Sequence, residues 1–121
     1  MPSRFIQVSQ TDGVNVIALG LPRTVDLYEF DRINEDIAKA TEADPSGRWV
    51  LDATGSEYVG SAILGVLVNL RQRLRNGGGG RLVLCGLSDQ LANALRTCSL
   101  FSLFTIAHTR PDALKQVKTL R

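Results

Sequence analysis

The sequence predicts an α/β fold: a mixed, mostly parallel sheet opened by a β-hairpin and flanked by helices. Three observations carry that prediction. Asp12-Gly13 stands between two short segments of alternating apolar and polar residues, the strongest short-range hairpin signal, because both turn positions need positive φ. Downstream, short apolar runs alternate with stretches of three-four apolar spacing, the pattern of strand-helix units whose strands lie parallel. Each unit ends in a breaker such as Asp44-Pro45-Ser46-Gly47 or Gly77-Gly78-Gly79-Gly80.

Taken in order, Phe5–Ser9 and Val14–Leu19 are the hairpin strands. Leu21-Pro22-Arg23-Thr24 is a loop, because proline pushes the residue before it out of helical space. Thr24 or Asp26 then caps a helix whose inner face is Leu27, Phe30, Ile33, Ile37 and Ala40 and whose outer face is Glu29, Asp31, Glu35 and Asp36. Trp49-Val50-Leu51 is a buried strand ending at Asp52. Ser61 is placed at the N-cap of the next helix, which turns Leu64, Leu67, Leu70 and Leu74 inward. The glycine run stops that helix, and Arg81–Gly86 is the following strand. Ser88 caps a helix through Leu95, Phe104-Thr105-Ile106 is a last short strand, and a terminal helix begins at Asp112. The order is β-β-α-β-α-β-α-β-α, a single domain over residues 1–121.

Composition excludes several classes of function. The longest apolar run is broken by Asn69 and Arg71 before it spans a bilayer, and Met1-Pro2-Ser3-Arg4 does not open a signal peptide. A cytoplasmic location without membrane insertion is the expectation. Cys85 and Cys98 form no Cys-x-x-Cys pair and have no histidine beside them, so both are read as buried free thiols with no metal role. Residues 1–60 carry five Lys/Arg and ten Asp/Glu, whereas residues 61–121 carry nine and two. This asymmetry reads as an acidic and a basic helix on different faces. The scarce aromatics give no base-stacking platform, so nucleic acid is not an expected partner.

The catalytic possibilities fall away one by one. The tetraglycine follows a helix and leads into a strand, the reverse of a phosphate-cradling loop, and no Gly-Lys-Ser/Thr follows it. Ser61 lacks a Gly-x-Ser-x-Gly setting, and the single histidine, His108, stands apart from any nucleophile. Asp52, at the end of a central strand, sits where receiver domains accept a phosphoryl group. That chemistry needs further carboxylates around a metal and a late-strand lysine, and neither is present. The plain reading of Asp52 is that it accepts hydrogen bonds from the loop after it. No enzyme activity and no cofactor are expected.

One stretch remains, Gly60-Ser61-Ala62-Ile63-Leu64-Gly65-Val66-Leu67. With Trp49-Val50-Leu51-Asp52 before it, and Gly78-Gly79-Gly80-Arg81-Leu82-Val83-Leu84 and Ser99-Leu100-Phe101-Ser102-Leu103-Phe104 after it, the chain resembles the STAS family. The best-known members of that family are bacterial anti-sigma factor antagonists. The resemblance implies a STAS-like fold and a regulatory protein-binding domain that switches partners in transcription control. The partner is an anti-sigma factor or serine protein kinase, and docking is expected at Tyr58, Gly60, Ser61, Ala62 and Ile63. Ser61 falls on the serine that the partner kinase phosphorylates, so it stands both as a helix cap and as a phosphoacceptor. The sequence departs from the family pattern at Gly60, where the family has aspartate, at Ala62, where it has a second serine, and at Ile63, where it has glycine. Two alternatives stay open: a phosphorelay receiver acting through Asp52, and a STAS scaffold without phosphorylation in a sensory or lipid-transport complex.

Overall fold

A computed structural model describes residues 3–58 and 60–120. Its sheet has five strands in the order β1-β2-β3-β4-β5: β1 (Ile6–Thr11), β2 (Val14–Leu19), β3 (Arg48–Asp52), β4 (Arg81–Cys85) and β5 (Thr105–Ala107). The helices are α1 (Leu27–Glu42), α2 (Ser61–Gly77), α3 (Asp89–Thr97) and α4 (Arg110–Thr119), with a 3₁₀ turn at Phe101–Leu103. β1 runs antiparallel to β2, and every other neighbouring pair is parallel. The expected element order is therefore met throughout.

The hairpin forms as its dipeptide requires. Asp12 and Gly13 both hold positive φ, at 52° and 77°, the signature of a tight two-residue turn whose twist matches the strands. α1 takes Asp26 rather than Thr24 as its cap, with the carboxylate accepting from the Glu29 amide at 2.8 Å. Ser88 caps α3 in the same way, accepting from Leu91 at 3.1 Å. α4 starts earlier than expected, because Thr109 caps it and Pro111 fits its first turn.

Two apolar layers enclose the sheet. α1, α2 and α3 pack on one face, where Phe30, Ile33, Ile37, Leu67, Leu70 and Leu91 meet Ile17, Leu19, Trp49 and Leu51. α4 covers the other face, setting Ala113 and Val117 against Val14, Val16, Val50, Val83 and Cys85. The strand alternation assigns each residue to one layer or the other. Asp52 shares a side with Val50 and so points toward α4.

Two expectations are corrected at this level. Leu27 does not join the inner face of α1: it is the first residue of the helix and is 79% exposed. Cys98 is exposed rather than buried, since it caps the C-terminus of α3 outside the core. Cys85 is buried as expected, and burial together with the neighbouring Asp52 carboxylate pushes its thiol up to about 12. Among the described residues no helix is long and apolar enough to cross a membrane.

Candidate functional site

Because β2 and β3 are parallel, the helices that follow them, α1 and α2, both begin at the same end of the sheet. The loop from β3 to α2 is tied down halfway along. The Ser56 hydroxyl donates to the Leu19 carbonyl at 2.5 Å and accepts from the Leu21 amide at 2.9 Å. The Glu57 amide donates to the Leu21 carbonyl at 2.8 Å. These bonds fix the loop to the segment leading into α1, so the start of α2 has a defined position. Val59, which follows, lies outside the described residues.

At the start of α2 the N-cap is Gly60, with φ −75° and ψ 169°, and no side chain caps the helix. Ser61 is thus the first helical residue rather than the cap. Gly60 already holds the extended conformation that the N-cap needs, which moves the serine one place into the helix. Ser61 is exposed, and the first turn holds no acidic residue. Its hydroxyl therefore stands beside the positive end of the α2 dipole, where an added anion is favoured.

Tyr58 explains why position 60 is glycine. The Tyr58 ring packs edge-on against Phe30 of α1, with centroids 4.9 Å apart and planes at 61°. A Cβ placed on Gly60 would lie 2.5 Å from the Tyr58 hydroxyl oxygen and 2.8 Å from the ring carbon that bears it. Tyr58 therefore fills the space that a side chain at position 60 would use.

Tyr58, Gly60, Ser61 and Ala62 meet at this site, and all are exposed or partly so. Ile63 does not join them. It is fully buried in the layer between the sheet and α1–α3. Its side chain points into the sheet one residue past the exposed Ser61–Ala62 face, so it is a core residue and unavailable to a partner. At the start of α1, at the same end of the sheet, Leu27 and Tyr28 are 79% and 68% exposed, which the sequence reading did not anticipate. Only the observed sheet order brings the two helix starts together, and no sequence motif signals it.

Nine residues before Ser61 lies a second polar cluster. Asp52 accepts from the Thr54 amide at 2.9 Å, the Thr54 hydroxyl at 2.6 Å and the Arg110 Nε at 2.8 Å. Its side chain is 7% exposed against 41% for Arg110. Burial raises the carboxyl, but the Thr54 hydroxyl, Arg110 and the Thr54 amide outweigh it and hold the group below its ordinary 3.8. Gly86 closes over the cluster with φ 69°, and a Cβ there would lie 2.2 Å from the Thr54 hydroxyl oxygen. The loop-bonding role expected for Asp52 is present, with Arg110 added from α4. The described residues hold no cluster of three or more His, Cys, Asp or Glu side chains that fits a metal.

Comparison with protein families finds that the STAS domain model matches residues 5–113. The chain belongs to the STAS family. Solved STAS structures share the fold. An anti-sigma-factor antagonist domain protein from Planctomyces limnophilus is 23% identical, with a TM-score of 0.80 over 94% of this chain and 98% of its own. An anti-sigma factor antagonist from Mycobacterium paratuberculosis is 23% identical, with a TM-score of 0.75 over 93% and 92%. The phosphorylated form of the Bacillus cell fate determinant SpoIIAA is 16% identical, with a TM-score of 0.64 over 93% and 98%. Comparison with curated proteins finds no match. In this STAS chain Asp52 fastens β3 and its loop to α4, and it has no phosphoryl-accepting role.

Proposed function

We propose that this STAS domain is a non-enzymatic partner switch: it docks an anti-sigma factor or serine protein kinase through the start of α2, and phosphorylation of Ser61 reverses the docking. The observation that carries the reading is an exposed serine hydroxyl, free of any capping duty, at the first position of α2 in a STAS chain. Tyr58 and Ala62 flank it, and the exposed Leu27 and Tyr28 extend the same end of the domain with apolar surface for a partner.

Phosphorylation adds about −1.5 to −2 charges and three strong acceptor oxygens. At Ser61 the free amides and the helix dipole accommodate that charge, so the domain stays folded while its docking surface becomes negative. The partner then loses affinity through desolvation and repulsion rather than through unfolding.

The test is incubation of the purified chain with an anti-sigma factor kinase from the same organism and ATP, followed by intact-mass and peptide analysis. A single phosphoryl group on Ser61, absent from Ser61→Ala, is the expected result. Ser61→Asp is expected to weaken the complex by about tenfold or more with its folding intact. Modification at another residue, or the absence of any complex, overturns the proposal. A complex that forms and persists without phosphorylation selects the scaffold reading, which the replacement of the family aspartate by Gly60 favours.

A further inference from the structure

The outer edge of β1 faces no other strand among the described residues. Natural sheets protect such edges with charged side chains, proline or bulges. β1 has none of these. Its residues, Ile6-Gln7-Val8-Ser9-Gln10-Thr11, are uncharged, and their register with β2 runs without a break from Ile6 opposite Leu19 to Thr11 opposite Val14. Beyond Ile6 every residue of the strand is exposed, including Val8 at 49%.

The hydrogen-bond phase shows which backbone groups the edge offers. The Gly20 amide donates to the Phe5 carbonyl at 3.0 Å, which continues the β1–β2 register by one pair. In an antiparallel ladder inward and outward bonding alternate. The Phe5 carbonyl, and with it the amides and carbonyls of Gln7, Ser9 and Thr11, therefore turn toward β2, the Phe5 amide donating to the Ser3 hydroxyl instead, while Ile6, Val8 and Gln10 turn theirs outward.

We propose that β1 pairs antiparallel with β1 of a second copy of this chain, about a two-fold axis through Val8, joining both sheets into one. The phase selects that register. All the outward groups are used only when Val8 faces Val8 of the second copy and Ile6 faces Gln10 of the second copy, giving about six backbone hydrogen bonds. Any other register in phase strands a pair at the ends. The same register buries the exposed Val8 against its own symmetry mate.

Charge supports a second copy over an unrelated strand. Arg4 precedes β1 and Asp12 follows it. With Val8 on the axis, Arg4 stands opposite Asp12 of the second copy at both ends of the interface. Arg4 is 80% exposed; it lies 4.9 Å over the Phe5 ring and 3.7 Å from Glu29, and it exchanges these exposed contacts for Asp12 of the second copy. An edge that is neutral at its centre, positive at one end and negative at the other is complementary to itself run backward. β2 lies between this edge and β3, the strand that leads to Ser61, while the Arg4 end of the edge borders Tyr28 and Glu29 of α1.

The test is sedimentation velocity and light scattering of the full chain across a concentration series, with circular dichroism as the folding check. The wild type is expected to pass from monomer to dimer as concentration rises. In Val8→Pro the lost amide is an outward one, so proline is compatible with the β1–β2 ladder at a sheet edge and removes both central donors of the interface. Val8→Lys sets like charges face to face. Each is expected to weaken dimerisation by about tenfold or more with the fold intact, and Arg4→Glu to weaken it by a smaller factor. A wild type that stays monomeric throughout overturns the proposal, including the case where the edge accepts a strand from another protein. Folded variants that dimerise as the wild type does overturn it as well. If Val8→Pro fails to fold, Val8→Lys decides, because position 8 is exposed.

Discussion

Two polar sites leave the same end of the sheet nine residues apart, and they are built in opposite ways. Asp52 is buried and accepts three hydrogen bonds from Thr54 and Arg110. Ser61 is exposed at the start of a helix that no side chain caps. The first arrangement engages both carboxylate oxygens in holding β3, its loop and α4 together. The second leaves its hydroxyl without structural duty. In so small a domain the buried Asp52 is committed to the fold, and the exposed Ser61 is the hydroxyl that the proposed switch uses.

The largest effect expected from this contrast lies at Asp52. Asp52→Ala removes charge-assisted bonds and leaves the Thr54 hydroxyl facing Gly86 without its acceptor. The half-exposed Arg110 is rehydrated and limits the loss, so the cost is about 2–3 kcal/mol, read as a drop in the denaturant midpoint at unchanged slope. The pH dependence has a definite sign. The folded-state carboxyl lies below its ordinary 3.8, so its stabilisation is present above about 3.8 and disappears as pH falls through the lower folded value. Asp52→Asn should therefore flatten the acid limb of the stability profile below that point. An unchanged acid limb would show that Asp52 is not the fastening described.

A smaller effect sharpens the comparison at the α2 start. Gly60→Asp supplies a side-chain cap but drives Tyr58 off Phe30, whose edge-on contact is worth about 0.5–1.5 kcal/mol. Alone it should destabilise by about 1 kcal/mol or less; in a Tyr58→Ala background the clash is gone and the same change should be neutral or stabilising. The double-mutant cycle measures that sign change. Additive effects would mean that Tyr58 does not set the identity of residue 60.

How much of this was legible in the sequence depends on whether the governing interaction is local. Asp12-Gly13, the Ser88 cap and the Leu64-Leu67-Leu70-Leu74 face act within a few residues, and each is where the pattern put it. The element order followed from the same local signals. Failures occurred where a distant element decides. Ile63 differs from the family pattern and invites a surface role, but it is fully buried in the layer that α1, α2 and α3 form with one face of the sheet. Leu27 fits the helical period, yet at the first position of α1 it is 79% exposed. Arg110 reaches Asp52 across 58 residues of sequence, and no spacing rule connects them. For the site, a helix beginning near Ser61 was legible, while its cap proved to be Gly60 rather than Ser61 and the Tyr58–Gly60 contact needed the ring in place.

The smallest effect bears most directly on the switch. If Ser61 were the N-cap, as the pattern of small polar residues before apolar helices suggests, Ser61→Ala would cost about 0.5–2 kcal/mol. Here Gly60 occupies the cap and Ser61 is the first helical residue, where alanine is the better helix former. The change should shift stability by less than about 0.5 kcal/mol in either direction, while abolishing phosphorylation in the kinase assay. A loss near 1 kcal/mol would return the hydroxyl to a structural role. A near-zero loss leaves nothing in the fold that requires a serine at position 61, so the reason for one there must lie in what the domain binds.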